Sequence, residues 1–387
     1  MKIIGNNQYQ KSLNAALILN YLLQHGPASR IELSDKLGLQ PSTITYIINR
    51  FLTIDLIREL NTTGKKRSSG RPAVSLELNP DYGQVFGIDM QAHSYNAVIC
   101  DTRGTVRKQL HGEYPQSSED FRTVLLETVG EVCTQAKTAP LLGIGISAPG
   151  IINTEEAIIE ESWPHHIQSL DLKEFLAEKF SYPVLIENDA NCCALHILWQ
   201  KREGPAPSFL YILPRFHNTR EIPSEHPAVG IGIGVVIDGK LHRGASCQAG
   251  EFRSAFLDRN DRSELSLSID ETYLVSTDGD VRRKLIGEIL QNMGFAVSLL
   301  NPGFILVGGD LAGEDALFSN ILDNELKSTG DFLQRTGCEL RILSDVTYDA
   351  AKGAAVKLLG ELYRVPQGGM EGLNRKKWAY MLANAAG

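Results

Sequence analysis

The chain has 387 residues, 43% of them hydrophobic and 22% charged, with a formal net charge of −8. That length exceeds one ordinary domain, and the composition supplies a sizeable core, which excludes a disordered or fibrous chain. No apolar run approaches about 18 residues, MKIIGNNQYQ lacks a signal-peptide core, and six scattered cysteines form no C-x-x-C, so a cytoplasmic protein with reduced thiols and no membrane contact is expected.

The charge is uneven. Residues 1–80 hold ten Lys/Arg against five Asp/Glu, which leaves −13 on the remainder. A basic head on an acidic body suits a polyanionic partner, although a small domain is often a few charges from neutral.

Within the head, Ala15, Ile18, Leu19 and Leu22 share one helical face, and Gly26-Pro27 ends that helix. Ser29 and Glu32 have capping-box spacing for a second helix that stops at Gly38. Ser42 is placed to cap a third helix with Ile44, Ile47, Ile48 and Phe51 or Leu52 inward. Its outward residues, Ser42, Thr43, Thr45, Tyr46, Asn49 and Arg50, are hydrogen-bonding groups and a cation suited to base edges and phosphates. Residues 57–60 and the alternating Val74, Leu76 and Leu78 read as two strands around a basic loop. Lys65, Lys66, Arg67 and Arg71 on that loop would neutralise phosphates, which makes residues 1–80 a winged helix-turn-helix.

After Asn79-Pro80 the pattern becomes α/β. Apolar runs at 85–88, 142–146, 184–186, 209–213, 235–237, 305–307 and 340–342 alternate with helical stretches such as 118–137, 171–180 and 280–299. This predicts parallel sheets with helices outside. "NAVICDTRGTV" and "GVVIDGKLHRG" look like equivalent hairpins opening two related halves, with ligands expected in a cleft between them.

Five segments, in order, carry a family resemblance: "SSGRPAVSLELNP", "GIGISAPGIIN", "VLIENDANCCAL", "GIGIGVVIDGKLHRGASCQAGE" and "LNPGFILVGGDL". The chain resembles the ROK family (repressors, open reading frames and kinases), specifically its sugar-responsive repressor branch. The resemblance implies a winged helix-turn-helix followed by a two-lobed, actin-like (ribonuclease H-like) ATPase fold. The implied domains are 1–80 for the head, 81–199 for the first lobe completed by C-terminal helices within 350–387, and 200–349 for the second lobe. It further implies that Asn188, Asp189, Glu251 and Glu271 contact a sugar, Asp189 being the position of the general base in the kinases. Carboxylates and an amide suit sugar hydroxyls, which donate and accept; Asp189 could at the same time cap the helix that follows it.

Three departures argue against catalysis. The hairpin after Asp89 carries Met90, Gln91, Ala92 and His93 where the kinases have Gly-Gly-Thr, and side chains there block close approach of amides to phosphate. Ile231 stands for the kinases' phosphate-facing threonine, and the retained Gly308-Gly309 also serves strand–helix packing. The family's zinc ligands are missing: no cysteine or histidine lies between Cys247 and Cys338, so neither zinc nor ATP is expected. Residues 214–228 read as an insertion, either a lid near the cleft or surface decoration, and His217 and His226 have too little company for a metal; His165-His166 lies where the resemblance implies residues near the sugar, but reads more simply as a surface pair. A closing amphipathic helix is expected around Leu373, Trp378, Met381 and Leu382.

The resulting expectation is a repressor, a homodimer or tetramer, that binds double-stranded operator DNA and is released by a sugar or sugar phosphate. The alternatives are a sugar kinase with a DNA-binding head and a regulator controlled by a protein partner.

Overall fold

The computed structural model describes residues 7–60, 74–114, 120–136, 139–217, 227–257 and 264–364. The basic loop with Lys65, Lys66, Arg67 and Arg71, the segment with His226, and the closing helix expected around Trp378 lie outside the described residues.

The head comprises α1 (Asn7–His25), β1 (Ala28–Ser29), α2 (Arg30–Leu37), α3 (Pro41–Thr53), β2 (Ile57–Leu60) and β3 (Ser75–Leu78). The capping box forms: Ser29 Oγ accepts from the Glu32 N–H at 3.2 Å, and Glu32 Oε2 accepts from the Ser29 N–H at 2.7 Å. Gly38 closes α2 in the left-handed region (φ 63°). Ser29→Ala is expected to cost about 1 kcal/mol, read as a lower urea midpoint for loss of head helicity. Ser42 does not cap α3. Pro41 takes the first helical turn, Gln40 is the cap residue without a side-chain bond, and Ser42 sits inside the helix. A proline is favoured there because its missing N–H would have no helical partner anyway. Ile44, Ile47, Ile48 and Phe51 are buried as expected.

The wing strands pair antiparallel, Ile57 opposite Leu78, and the unforeseen β1 adds a third strand beside β3. Glu77 breaks the expected alternation. It is 6% exposed although it neighbours two inward leucines. Arg58 Nε on β2 donates to its Oε1 at 2.7 Å, and Arg103 Nη1 from the body donates to its Oε2 at 2.9 Å. Thr102 Oγ1 also donates to the Asn79 carbonyl at 2.8 Å. Ion pairing across the head–body junction therefore buries a residue whose face the pattern assigned to solvent.

The first lobe holds β4 (Gln84–Met90), β5 (Ser94–Asp101), β6 (Val106–Glu113), α4 (Phe121–Gln135), β7 (Leu141–Ala148), β8 (Ile151–Asn153), β9 (Ile158–Glu161), β10 (Leu170–Asp171), α5 (Lys173–Lys179), β11 (Val184–Asn188) and α6 (Asp189–Gln200). The second holds β12 (Phe209–Phe216), β13 (Val229–Ile237), β14 (Lys240–Leu241), α7 (Ile269–Thr272), α8 (Gly279–Leu300), β15 (Phe304–Val307), α9 (Asp315–Asn324), α10 (Lys327–Thr336) and β16 (Glu339–Ile342). Last comes α11 (Asp349–Leu362), which packs on α6, β4 and β7.

The repeat suspected in the sequence is topological. The two five-stranded sheets run β6-β5-β4-β7-β11 and β14-β13-β12-β15-β16. In each, three antiparallel strands are followed by two parallel ones. The sheets are thus mixed rather than parallel, because tight connections such as that from β4 to β5 permit only antiparallel pairing. The expected strand at 209–213 runs on to Phe216, so residues 214–216 continue β12 instead of opening an insertion.

Candidate functional site

The glycines of "GIGIG" lie within β13, not in a loop. Leu213 pairs with Gly232 and Arg215 with Gly230 across the β12–β13 ladder. A Cβ on Gly234 would stand 2.5 Å from the Ala190 carbonyl oxygen and 2.6 Å from the Ala194 Cβ. The bare strand therefore lets α6 settle against the second lobe. Gly250, at φ 99°, does the same for the turn before Glu251: a Cβ there would lie 1.8 Å from the Ile233 carbonyl oxygen. These contacts bring the start of α6 and the A-G-E turn to one place.

Between them lies a cavity of ≈ 110 Å³. The first lobe supplies Gly150, Glu161, Trp163, Asn188 and Asp189, and the second supplies Leu213, Arg215, His217, Gly230, Ile231, Glu251 and Glu264. Asn188, Asp189 and Glu251 are thus assembled as the sequence suggested. Glu271 is not. Its Oε2 accepts from the Ser268 N–H at 3.0 Å in the capping box of α7, and its Oε1 accepts from Lys284 at 2.7 Å. Those bonds hold its carboxyl down at about 2. Glu264, seven residues earlier in the chain, lines the cavity in its place.

Asn188, not Asp189, caps α6. Asn188 Oδ1 accepts from the Asn191 N–H at 3.0 Å, and its Nδ2 donates to the Gly150 carbonyl at 3.0 Å. Asp189 is 4% exposed, and its Oδ1 accepts from the Ala190 N–H at 2.9 Å. Burial raises its carboxyl, with Arg215 working in the opposite sense.

Arg215 bridges the lobes at the floor of the cleft. Its Nη2 donates to Asp89 Oδ2 at 3.2 Å, and its Nε lies 3.5 Å from Asp189 Oδ2. Asp89 is wholly buried and also accepts from Ser147 Oγ at 2.7 Å and Gln91 Nε2 at 2.8 Å. Gln91 occupies the turn where the kinase pattern has glycine, and its side chain covers the aspartate. Sequence reasoning missed Arg215 because it was read as part of an insertion; its position two residues after an apolar strand run was the available signal.

Glu251, Glu264 and Glu161 reach solvent at the mouth of the cavity, yet partial desolvation there pushes the Glu251 carboxyl up to about 7, with Glu264, Asp189 and Glu161 adding to the shift. Glu264 is raised by burial and by Glu161. His217 stacks edge-on against Trp163, with centroids 4.4 Å apart, and burial beside Arg215 lowers its imidazole to about 4, leaving it neutral. His165 is half-buried and not freely exposed. Its ring packs against Phe121 and its Nε2 lies 3.2 Å from the Met90 carbonyl, while His166 is exposed.

Behind the cleft, Glu187 is 1% exposed. Lys357 Nζ donates to its Oε2 at 2.7 Å, Arg243 Nε donates to the same oxygen at 3.0 Å, and Asn191 Nδ2 donates to Oε1 at 3.1 Å. This ties β11, the second lobe and α11 together one residue before Asn188. Burial alone would raise the carboxyl, but Lys357 and Arg243 outweigh it and bring it down to about 2.

In the head, Ser42, Thr45, Tyr46, Asn49 and Arg50 are exposed on one side of α3 and Thr43 is half-buried. Thr45 Oγ1 is turned back to the Pro41 carbonyl at 2.8 Å. Tyr46 is 58% exposed, with Lys11 Nζ 5.9 Å above its ring.

Comparison with known proteins places both parts. Residues 17–58 match a winged helix-turn-helix DNA-binding family and residues 85–262 match the ROK family. The chain is 32% identical over 264 residues to the xylose repressor of Bacillus spizizenii, covering 66% of this chain and 64% of that protein's length. A solved ROK family transcriptional regulator, a homolog of the E. coli MLC protein, superposes with a TM-score of 0.66 at 21% identity over 92% of this chain and 98% of its own. A ROK family glucokinase from Streptomyces griseus, solved with glucose and AMPPNP, gives 0.54 at 18% identity over 71% and 99%. Among the described residues no helix is long and apolar enough to cross a membrane. A winged helix-turn-helix head thus precedes an α/β body whose residues 85–262 match the ROK family and whose fold is that of a solved ROK family transcriptional regulator.

Proposed function

We propose that this protein is a DNA-binding transcriptional repressor whose hold on its operator is controlled by a sugar in the cleft between the lobes. Asn188, Asp189, Glu251 and Glu264 would meet the sugar's hydroxyls beside the face of Trp163, and two heads of a symmetric oligomer would read a two-part operator. The observation that carries the reading is the occupation of Asp89. Arg215, Gln91 and Ser147 bond the Asp89 carboxylate, and Gln91 does so from the turn where the kinase pattern carries glycine for close approach of phosphate. A side chain at that turn supports a regulator over a kinase, and ligand-dependent closure is the use of the cleft that this reading assigns.

The test is fluorescence anisotropy of the full chain on duplexes from upstream of its own gene, at fixed salt, with and without sugars. Specific binding relieved by a sugar is expected. Asn49→Ala and Arg50→Ala should each weaken specific binding by about 10- to 100-fold, while a scrambled duplex responds little to Asn49→Ala. ATP-dependent sugar phosphorylation that vanishes in Asp189→Asn would instead make the protein an enzyme. Operator release by a protein, with every sugar inert, would make the cleft vestigial.

A further inference from the structure

Glu251 and Glu264 lie between β14 and α7, where the described residues belong to no helix or named strand. Glu251 is bridged to Gly232 of β13, and Phe252, Leu265 and Leu267 sink into the core of the second lobe. The two segments meet where the Ser254 N–H donates to the Glu264 carbonyl at 2.9 Å. On either side of that junction α8 reaches in. Asn292 Oδ1 accepts from the Ala255 N–H at 2.8 Å, and Asn292 Nδ2 donates to Ser254 Oγ at 3.3 Å. One turn earlier on the same helix face, Glu288 Oε1 accepts from the Ser266 N–H at 2.7 Å. Asn292 Nδ2 also donates to the Glu288 carbonyl at 2.8 Å, which joins the two anchor points. Glu288 is 6% exposed and Ser254 is 5% exposed. Burying a carboxylate costs free energy unless it is bonded, and the amide that Glu288 holds belongs to the loop and not to its own helix. No cysteine or histidine lies between Cys247 and Cys338, so composition excludes a thiolate or imidazole staple from this loop beyond Cys247.

We propose that Asn292 and Glu288 are positioning residues of the cleft, a two-point clamp from α8 that sets Glu251 and Glu264 where a ligand meets them. This rests on the reading of the cleft as a sugar site. Neither residue lines the cavity; each acts through a loop amide close in sequence to one glutamate, Ala255 after Glu251 and Ser266 after Glu264. A ligand-contacting side chain outside a helix or strand depends on a supporting shell for its place. Losing either anchor leaves a loop N–H without its partner and frees the neighbouring glutamate, so that binding must pay to order it again.

The test joins amide hydrogen exchange to isothermal titration of the full chain with a panel of aldopentoses and aldohexoses. In wild type the Ala255 and Ser266 amides are expected to be protected. In N292L and E288L the faster exchange should be confined to the loop amides around them, and the sugar that binds wild type best should bind about tenfold more weakly. E288Q keeps an oxygen for Ser266 and should restore both protection and affinity, which a loss through packing alone would not require. Wild type treated with a chelator should bind the sugar as before. Sugar affinity unchanged in both leucine variants overturns the clamp, as does a chelator that abolishes binding. Rapid exchange of both amides in wild type overturns it even if no variant folds. No heat from any sugar at millimolar concentration overturns the sugar reading instead, and the exchange data then still decide whether α8 holds the loop.

Discussion

Glu187→Gln is expected to lower the stability of the body by about 3–5 kcal/mol at pH 7. The substitution removes the only carboxylate facing Lys357 and Arg243 among the described residues, and Lys357 is itself 11% exposed at its side chain. The loss should depend on pH in a definite direction. The folded carboxyl sits at about 2, below its ordinary value of 4.5. Its contribution is therefore fully present above the unfolded value and is lost as pH falls through the folded one, at about 1.4 kcal/mol for each unit between them. Urea midpoints of wild type and variant should accordingly lie far apart at pH 7 and closer at pH 3. A gap that is the same at both pH values would mean that Glu187 acts through packing and not through its charge.

Arg215→Met should be comparably damaging. It keeps much of the side-chain volume but leaves Asp89, wholly buried, and Asp189, 4% exposed, without a counter-charge. A loss of about 3–5 kcal/mol is expected. Adding Asp89→Asn should return part of it, because the second change removes one of the stranded charges. Thermal unfolding of the two single variants and the double variant gives the coupling directly. Strict additivity would show that the two side chains do not interact.

The local grammar of this protein was legible in its sequence. The Ser29–Glu32 box, the Gly38 stop, the apolar stripe of α3 and the strand-turn-strand openings of both lobes are all decided within a few residues, where capping, periodicity and turn chemistry act. What escaped depends on partners far along the chain. Arg215 meets Asp89 across 126 positions, and Glu77 meets Arg103 across 26. No pattern in either neighbourhood announces such a pair. Glu271 and Glu264 show the same limit at shorter range. Both follow the A-G-E turn, but Ser268 stands three residues before Glu271 and draws it into a cap, which leaves Glu264 to face the cleft. The mixed sheets were missed for a different reason: apolar strand runs reveal burial, and only the connection lengths reveal direction.

The continuous core beneath the head has a practical meaning. Leu56, Ile57, Leu76 and Leu78 share one buried cluster with Val85, Leu142, Leu358, Leu362 and Tyr363. Cutting the chain near residue 80 would therefore not release a self-sufficient reading head. It would bare an apolar underside that α11 and the first sheet normally cover, and the fragment would tend to aggregate or pair with itself. Transplanting this head onto another sensor would require that sensor to provide an equivalent floor, which makes the head a wall of the same building and not a detachable tool.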